Sequence, residues 1–509
     1  MANPDLPRSA AGPNSPWLVA VCVSIATFME VLDTTIANVA LRNIAGSLGA
    51  GQDESTYIVT SYLVSNAIVL PISGWLSNVI GRKRFYMGCV VLFTIASVAC
   101  AFATSLWMML LFRVLQGVGG GGLAPTEQSM FADSFTPKQR ALAFSLYGLT
   151  VVTAPAIGPV LGGWLTDNLS WHWVFLINLP FGMLSLFLTW MFVYDSPLLQ
   201  KERRERIARG IKVDYIGFAL VAIGFGCLQV VLDRFERDDG FESLFIAGFA
   251  IASLVSLALL VWRELVIDQP IIDLRLLKIP AFAISNVVML AFGFMIVSTT
   301  QLLPQLTQEL MHYNATTAGL TLGAGGAITL FFMPIAGLLT GRVVQPKWLI
   351  LMAMLGTASA LHYASGLSLD ASFFNISASR VLQVIWMPFI FIPLSAVQFQ
   401  GVPPSKSSEA SAIVNLMRNL GGSFGVSIVT TTLQWRTQFH HARLAEHITP
   451  YNGYGWGVNL TAIGQAVQRQ AAILSYLDVF TILSLIALAI VPLVLFLPNI
   501  PKGAAAGGH

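Results

Sequence analysis

The sequence predicts an all-α polytopic membrane protein with fourteen transmembrane helices. Of its 509 residues, 55% are hydrophobic and only 10% are charged, whereas a soluble domain usually carries about 25% charged residues. Fourteen mostly apolar runs are long enough to cross a bilayer, since a span needs about 20 such residues. A chain with few charges can face lipid but cannot cover a water-exposed surface. The net charge of +3 argues against a nucleic-acid partner.

The fourteen runs are numbered as spans 1 to 14 in chain order. They lie at residues 17–41, 54–78, 85–104, 106–131, 139–166, 173–194, 213–232, 244–262, 281–308, 317–340, 347–366, 374–399, 407–434 and 474–497. The first run is too long for a signal peptide, so it is interpreted as an uncleaved first span.

The distribution of Lys and Arg supports this topology. With both termini placed in the cytoplasm, cytoplasmic segments hold 19 Lys/Arg, exterior segments hold six and spans hold three. Cytoplasmic loops of membrane proteins carry such an excess of basic residues. The bias therefore favours an even number of spans.

The chain contains an internal repeat. Pro71–Ser77 recurs as Pro334–Thr340, and Arg113–Gln116 recurs as Arg380–Gln383. A third match pairs two glycines of span 5 with two of span 13: Gly158, Gly162, Gly421 and Gly425. Spans 1–6 thus correspond to spans 9–14, and spans 7 and 8 are inserted between the halves. Parallel six-helix repeats around a midplane site are a transporter architecture.

Three segments follow from the repeat. Residues 1–194 form an N-terminal six-helix bundle, and residues 195–280 hold a cytoplasmic linker and the two inserted helices. Residues 281–509 form a C-terminal six-helix bundle, which includes a long exterior loop at 435–473. The other connections are short, so no soluble catalytic domain is expected. No cofactor is expected either, and neither the cysteines nor the exterior-loop histidines have the spacing of a metal site.

Span 1 carries Glu30 and Asp33 three residues apart, on one helical face. A carboxylate at membrane depth must face protein or water, and it tends to pair or to take up a proton. Asp33 and Arg113 each lie about eight residues from the exterior end of their spans, so at ~1.5 Å per residue they share a depth of about 12 Å. The favoured hypothesis is a proton-coupling site of Asp33, Glu30 and Arg113. The alternative is a structural ion pair that joins spans 1 and 4.

A central cavity between the halves would be lined by spans 1, 4, 9 and 12. Polar, Met and Trp side chains of these spans adapt to varied ligands. The candidate lining residues are Asn38, Gln116, Met295, Thr299, Gln301, Gln305, Gln383, Trp386 and Met387. For any one of them, packing within a bundle remains the alternative.

Two further motifs suggest moving contacts. The loop between spans 2 and 3 places its cations where they can dock on Asp133 and close an inward gate; its gating candidates are Gly74, Asn78, Arg82, Arg84 and Asp133. Span 5 carries a bendable proline and glycine motif, for which we expect tight packing or a kinked contact with the other half; its members are Pro155, Gly158, Pro159, Gly162 and Gly163. Small residues of this kind let helices approach closely.

Several stretches resemble the major facilitator superfamily, in particular its fourteen-span drug:proton antiporters of the EmrB/QacA type. Leu32–Leu41 resembles the span 1 signature of that branch, and Arg113–Gly119 resembles the span 4 motif associated with proton coupling. Ala154–Trp164 resembles the antiporter motif, and Ser170–Pro180 continues it. The loop between spans 2 and 3 resembles the gating motif, except that Asn78 stands where the motif has an acid. The second half matches mainly by span count and the long last loop.

The resemblance implies a major facilitator fold and proton-coupled export of lipophilic small molecules by alternating access. It also implies an EmrA-like periplasmic adaptor, a TolC-like outer-membrane channel and a place in the inner membrane of a Gram-negative bacterium. A proton-coupled nutrient importer on the same fold is the alternative. A membrane-embedded enzyme is disfavoured, because the histidines lie in loops, near span ends or at the terminus.

Overall fold

The computed structural model describes residues 15–195, 197–208, 214–238, 240–267, 270–313, 315–341, 343–448 and 460–499. In these residues the fold is helical, and the only β-type pairing is an isolated bridge between Thr340 and Val344. The predicted all-α class is therefore confirmed.

Nineteen α-helices are described. Their bounds are α1 Pro16–Leu48, α2 Gln52–Ser55, α3 Tyr57–Ile80, α4 Arg82–Ala101, α5 Leu106–Gly120, α6 Leu123–Ser134, α7 Pro137–Asn168, α8 His172–Leu176, α9 Asn178–Phe192, α10 Pro197–Ala208, α11 Tyr215–Arg234, α12 Leu244–Val266, α13 Pro280–Gln305, α14 Ala315–Leu339, α15 Pro346–Ala364, α16 Phe373–Val384, α17 Met387–Val397, α18 Ser407–Glu446 and α19 Leu460–Val494.

Eleven stretches of the described helices are long and apolar enough to cross a membrane, or twelve when the bent α7 is counted as one span. The predicted number of fourteen is not reached by this measure. The difference lies in α15 and α18, which have 19 and 40 residues but a less apolar composition. Polar residues of α18, such as Ser411 and Asn415, are fully buried. Because protein rather than lipid surrounds this face, α18 does not need a uniformly apolar surface.

The helices pack into two groups. In the first group (α1–α9), α1 packs on α7, and α5 packs on α3 and α4; in the second group (α13–α19), α13 packs on α18, and α14 and α15 pack on α16. The groups meet where α3 contacts α18 and where α14 contacts α7. The inserted pair α11 and α12 packs together, and α11 leans on α3 and α18. The repeated motifs of the sequence thus occupy related helices in the two groups.

Much of the predicted exterior loop at 435–473 is helical. Helix α18 continues to Glu446 and α19 begins at Leu460, while 449–459 lie outside the described residues. Arg436 and His440, one turn apart on α18, both bond to Asp478 of α19 at 2.6 Å. This shared carboxylate holds the two helix ends together beyond the predicted end of span 13. The prediction ended span 13 at residue 434 because it considered only the run of hydrophobic residues, and such a run does not reveal polar pairing between helices.

The inserted pair is fixed by a polar contact at its start. Asp214 caps α11 by accepting a hydrogen bond from the Gly217 backbone N–H at 2.9 Å, and it pairs with Arg263 of α12 at 2.7 Å. The hydrogen bonds from Arg263 hold the pKa of the Asp214 carboxyl below its usual value. The charged form of Asp214 therefore stabilises the junction of the two helices.

Candidate functional site

Asp33 of α1 and Arg113 of α5 form an ion pair inside the first group. The distance between Arg113 Nη1 and Asp33 Oδ2 is 2.8 Å, and the exposed fractions of the side chains are 1% for Arg113 and 0% for Asp33. The structure thus brings together the two residues that sequence spacing placed at one depth. Removing charge from water is costly unless the pair is also hydrogen-bonded, so the surrounding donors and acceptors matter.

Two amides complete the coordination of the carboxylate. Gln116 Nε2 donates to Asp33 Oδ1 at 2.9 Å, and Asn178 Nδ2 of α9 donates to the same oxygen at 2.6 Å. Asn178 also donates to Ser97 of α4 at 2.9 Å. The carboxylate is therefore held by donors from two helices besides its own. Sequence reasoning missed Asn178; its signal was an amide within an apolar span, in a stretch already noted for its resemblance to the antiporters.

Arg113 has partners that do not depend on Asp33. Its Nε donates to the Ile58 carbonyl at 3.1 Å, and its Nη1 also donates to Gln116 Oε1 at 2.7 Å. The rings of Tyr62 and Phe175 lie 4.5 Å and 5.8 Å from the guanidinium carbon. An aromatic face attracts a desolvated cation. The guanidinium thus remains stabilised when Asp33 is neutral.

Glu30 lies one turn before Asp33 on α1 and is half-buried. Tyr62 Oη donates to Glu30 Oε1 at 3.0 Å, and Asn66 Nδ2 donates to the same oxygen at 3.5 Å. Tyr62 therefore touches both parts of the site, through its hydroxyl at Glu30 and its ring at Arg113. The three proposed proton-coupling residues form one connected network.

The predicted cavity residues occupy three kinds of position: polar networks around Arg113 or Arg380, the buried core, and more accessible sites. Gln116 belongs to the Asp33 network, and Thr299 and Gln383 bond to Arg380 at 3.1 Å. Met295 and Met387 are core residues with exposed fractions of 0% and 1%. The remaining candidates are more accessible: Asn38 is exposed, and Gln301, Gln305 and Trp386 are half-buried.

Trp386 packs on α15. A Cβ at Gly356 would overlap the indole ring, so the tryptophan fits onto a glycine within its own group. A side chain packed this closely stabilises its own bundle and does not present a surface to a ligand. The structure therefore places Trp386 against a helix of its own bundle.

The gating candidates meet the second group at the end of the molecule that carries the loop between α3 and α4, here called the basic-loop end. A Cβ at Gly74 of α3 would lie 2.8 Å from Glu409 Cα of α18. Asn78 Nδ2 donates to Glu409 Oε1 at 3.2 Å. The close approach explains the need for glycine at 74. Asn78, which stands where the gating motif has an acid, thus contacts a carboxylate of the opposite helix.

Arg82 and Asp133 form the second part of this contact. They make a buried ion pair, Arg82 Nη2 donates to Ser407 Oγ at 2.9 Å, and Ser407 Oγ donates to Asp133 Oδ1 at 3.0 Å. The structure thus brings Arg82 to Asp133, together with a serine of the second group. Arg84 lies elsewhere, in a surface pocket with Asp195 and Arg203. Of the loop cations, Arg82 makes the inter-group contact.

A second layer of polar contacts lies deeper between the groups. Gln128 and Asn415 exchange hydrogen bonds at 2.9 and 3.3 Å. Arg418 Nη1 donates to Tyr147 Oη at 2.6 Å, and the Tyr147 and Phe391 rings stack at 5.7 Å. Together with the gating contacts, this layer closes the space between the groups at the basic-loop end.

The glycines of the antiporter motif face α1 of the same group. A Cβ at Gly158 would overlap Thr35 Oγ1, and one at Gly162 would lie 3.1 Å from Ile36 Cγ2. A Cβ at Gly163 would meet nothing within 4 Å. The two glycines Gly158 and Gly162 therefore pack α7 tightly against the helix that carries Asp33, in agreement with the first of the two expectations for this motif.

The expected kink of this motif is present. Helix α7 bends by 45° between the segment ending at Pro155 and the one beginning at Val160. The side chain of Pro159 lies outside the described residues. Beyond the bend, Val160 reaches the second group, since a Cβ at Gly319 would lie 3.1 Å from Val160 Cγ2. Thus the bend lets α7 contact α1 on one face and α14 on another.

Two similar groups of apolar helices, the first of which encloses a buried ion pair, define a multi-pass membrane transporter. The profile described as "Major Facilitator Superfamily" matches residues 23–426, and the chain belongs to that superfamily. It is 35% identical to "Multidrug export protein EmrB" of Escherichia coli K12, over 96% of this chain and 97% of that protein. It is 34% identical to "Fatty acid resistance protein FarB" of Neisseria gonorrhoeae, over the same shares. The expected resemblance to EmrB-type transporters is confirmed.

Solved structures agree with this fold. A double-Trp mutant of XylE aligns with a TM-score of 0.63 at 14% identity, covering 95% of this chain and 96% of that one. The human organic anion transporter MFSD10 aligns with a TM-score of 0.60 at 13% identity, covering 94% and 99%. At such low identity these likenesses concern the fold alone.

Proposed function

We propose that this protein exports lipophilic small molecules in exchange for protons, by alternating access between the bundles 1–194 and 281–509. The observation that carries the proposal is the Asp33 carboxylate, which is fully buried beside Arg113. An acidic group enclosed at membrane depth is expensive to keep unless it works in transport. The similarity to "Multidrug export protein EmrB" supports the direction and the substrate range.

The proton step follows from the partners of Asp33. Protonation removes the charge that Arg113, Gln116 and Asn178 together stabilise, so the link between α1, α5 and α9 weakens. Arg113 then relies on the Ile58 carbonyl and on the two aromatic rings. Glu30 is the second proton candidate, coupled to the first through Tyr62. Protonation of either acid therefore changes the packing of α1, the helix against which the antiporter motif packs.

The topology of the proposal uses fourteen spans, three of which consist of two consecutive helices: α5 with α6, α8 with α9, and α16 with α17. Helices α15 and α18 complete the twelve apolar candidates, with α11 and α12 as the inserted pair. The excess of Lys and Arg in alternate loops supports a topology with both termini and the basic-loop end in the cytoplasm. The conformer is then closed toward the cytoplasm, and the Arg82–Asp133 pair must break when substrate enters.

The setting of the proposal is the inner membrane of a Gram-negative bacterium. An EmrA-like adaptor and a TolC-like channel would carry the substrate onward across the periplasm. The paired ends of α18 and α19, held by Asp478, offer the adaptor a rigid surface beyond the bilayer. Protons and hydrophobic substrates are the only small molecules the mechanism requires.

The test is dye transport in everted membrane vesicles energised by a pH gradient, with Hoechst 33342 as the probe. We expect the native protein to move dye into the everted lumen and Asp33→Asn to abolish this movement. Glu242→Gln, an exposed carboxylate outside the site, serves as the matched control. Normal export by Asp33→Asn would refute the proton assignment, and dye movement in the opposite direction would favour the importer alternative.

A further inference from the structure

Arg380 in the second group occupies the position that Arg113 occupies in the first. Each arginine lies seven residues after the first residue of its helix, α16 or α5. Each donates from Nη1 to the glutamine three residues later, Arg113 to Gln116 at 2.7 Å and Arg380 to Gln383 at 3.1 Å. The two halves therefore carry the same arginine and glutamine arrangement.

The two arrangements differ in what the guanidinium meets. Arg113 pairs with Asp33, whereas Arg380 donates to the hydroxyls of Thr299 at 3.1 Å and Thr300 at 2.9 Å. The repeat offset of 267 residues between the arginines carries Asp33 onto Thr300. Within the described residues, no carboxylate forms an ion pair with Arg380. The second half has thus kept the cation and replaced its acid by neutral side chains.

Arg380 is nevertheless deeply buried. Its exposed fraction is 7%, and its Nε has no hydrogen-bond partner among the described residues. A buried cation usually has a counter-charge, because its removal from water must be compensated. Gln383 Nε2 also has no acceptor in the described part of the chain, whereas Gln116 Nε2 donates to the Asp33 carboxylate at 2.9 Å. The described residues thus provide no acceptor for the Arg380 Nε–H or for the Gln383 side-chain amide, two donors one turn apart on α16.

The surroundings of these donors are apolar. A Cβ at Gly325 of α14 would lie 3.1 Å from Arg380 Cγ and 3.3 Å from Val384 Cγ2. One turn along α16 and α13, Ile376 and Leu303 belong to a buried cluster with Leu322. A ligand that reaches the guanidinium would therefore have to separate these packed side chains and replace their contacts with an apolar part of its own.

We propose that Arg380, Gln383 and Thr300 form a receptor for the carboxylate of an amphiphilic monoanion carried by this transporter. The site takes the ligand anion where the first half holds its own Asp33. This inference deepens the proposed function, because it names the substrate class of the second half. It gives the halves different tasks on one architecture: the first binds protons and the second binds the charged end of the cargo.

The experiment measures equilibrium binding of octanoate and of octanamide, its uncharged isostere, to the protein in lipid nanodiscs without a pH gradient. We expect Arg380→Gln to weaken octanoate binding about tenfold or more, as for loss of a hydrogen-bonded charge partner, and to leave octanamide binding unchanged. Thr300→Asp supplies an internal carboxylate to Arg380 and should exclude octanoate alone. Arg469→Gln, which alters an exposed cation bonded to the Leu310 carbonyl, is the matched control and should bind both probes normally.

Melting temperatures separate binding from folding. If Arg380→Gln fails to fold, Thr300→Asp decides the question, since it keeps the guanidinium. Equal octanoate binding by native protein and a folded variant, or a parallel loss of both probes, would overturn the carboxylate receptor and leave Arg380 structural. Octanoate binding is also measured for Asp33→Asn, and we expect this variant to keep it. If octanoate binds but the native protein shows no proton-driven export in vesicles, the proposed function is refuted while the carboxylate receptor stands.

Discussion

The guanidinium carbon of Arg113 lies 4.5 Å from the centre of the Tyr62 ring, while the hydroxyl of the same tyrosine donates to Glu30 at 3.0 Å. Tyr62 of α3 therefore contacts Glu30 directly and is linked to Asp33 through Arg113. Its ring stabilises the cation in each protonation state of Asp33, because an aromatic face attracts charge without exchanging a proton. Its hydroxyl, in contrast, donates to the Glu30 carboxylate and accepts from Asn66 Nδ2 at 3.4 Å.

Substitution of Tyr62 separates these two tasks. Tyr62→Phe keeps the ring and should retain most dye export, whereas Tyr62→Leu should lower export roughly tenfold, corresponding to about 1.4 kcal/mol of lost cation–π stabilisation. Initial rates in energised everted vesicles give the measurement. Should Phe and Leu reduce export equally, the hydroxyl at Glu30 rather than the ring at Arg113 would be the important contact.

Asn178 is expected to hold the Asp33 carboxylate in the geometry that transport needs. Asn178→Leu removes one of the donors to this carboxylate. The loss of a hydrogen bond to a charged group, about 1.5–3 kcal/mol, should lower the initial rate of dye export in energised everted vesicles by roughly tenfold or more. Ser97→Ala is the matched control, because it removes the other partner of Asn178 and leaves the bond to Asp33. An equal loss of rate in both variants would make Asn178 a packing residue.

The pairing of Asp33 with Arg113 was predictable because helix rise converts sequence position into depth. Both residues lie at similar distances from the ends of their spans, and both are charges that lipid excludes. Asn178 was not predictable in the same way, since its approach to Asp33 depends on how α9 rotates against α1. An amide in an apolar helix is compatible with many packings, and the sequence contains no rule that selects one.

The cavity candidates show which positions could be predicted from the sequence pattern and which could not. Gln116 and Gln383 stand three residues after an arginine, a spacing that places both side chains on one helical face, so their bonds to Arg113 and Arg380 could have been anticipated. Met295 and Met387 gave no comparable signal. In a helix that is apolar all round, a methionine that faces the core and one that faces a cavity look alike.

The same limit explains the span count. A hydropathy window finds helices that face lipid, but α18 buries polar residues such as Ser411 and Asn415 against other helices. Its sequence was counted among the mostly apolar runs, and its glycines Gly421 and Gly425 were matched to those of span 5. In the structure these glycines contact α13, as Gly158 and Gly162 contact α1. The repeat therefore predicted a packing relationship that composition alone did not reveal.

Asp214 should make the stability of the inserted pair depend on pH. Since its folded pKa is held below the ordinary value of about 3.9, its stabilisation is complete above that pH and is lost as pH falls through the folded pKa. We expect Asp214→Asn to lower the apparent melting temperature in nanodiscs by a constant amount between about pH 5 and 8. Below about pH 4 the difference from the native protein should shrink. A difference that is independent of pH throughout would show that the cap and the Arg263 contact do not require the charge.

Gly74→Ala should prevent closure at the basic-loop end. The added Cβ would lie 2.8 Å from Glu409 Cα and 2.9 Å from the Ser408 carbonyl oxygen, which are backbone atoms of α18 that cannot rotate away. The bundles must then separate there, which weakens the neighbouring contacts of Asn78 and Arg82. Gly163→Ala, whose Cβ would meet nothing within 4 Å, is the matched control for adding a methyl group to a helix.

Spin labels on α3 and α18 near the Gly74 contact report the separation of the two helices by electron–electron resonance. We expect the Gly74→Ala protein to shift to longer distances and its dye export to fall, with the control unchanged. If the distance distribution of the Gly74→Ala variant matches that of the native protein, α3 and α18 do not move apart at this point, and the gate assigned to Arg82 and Asp133 is a static contact.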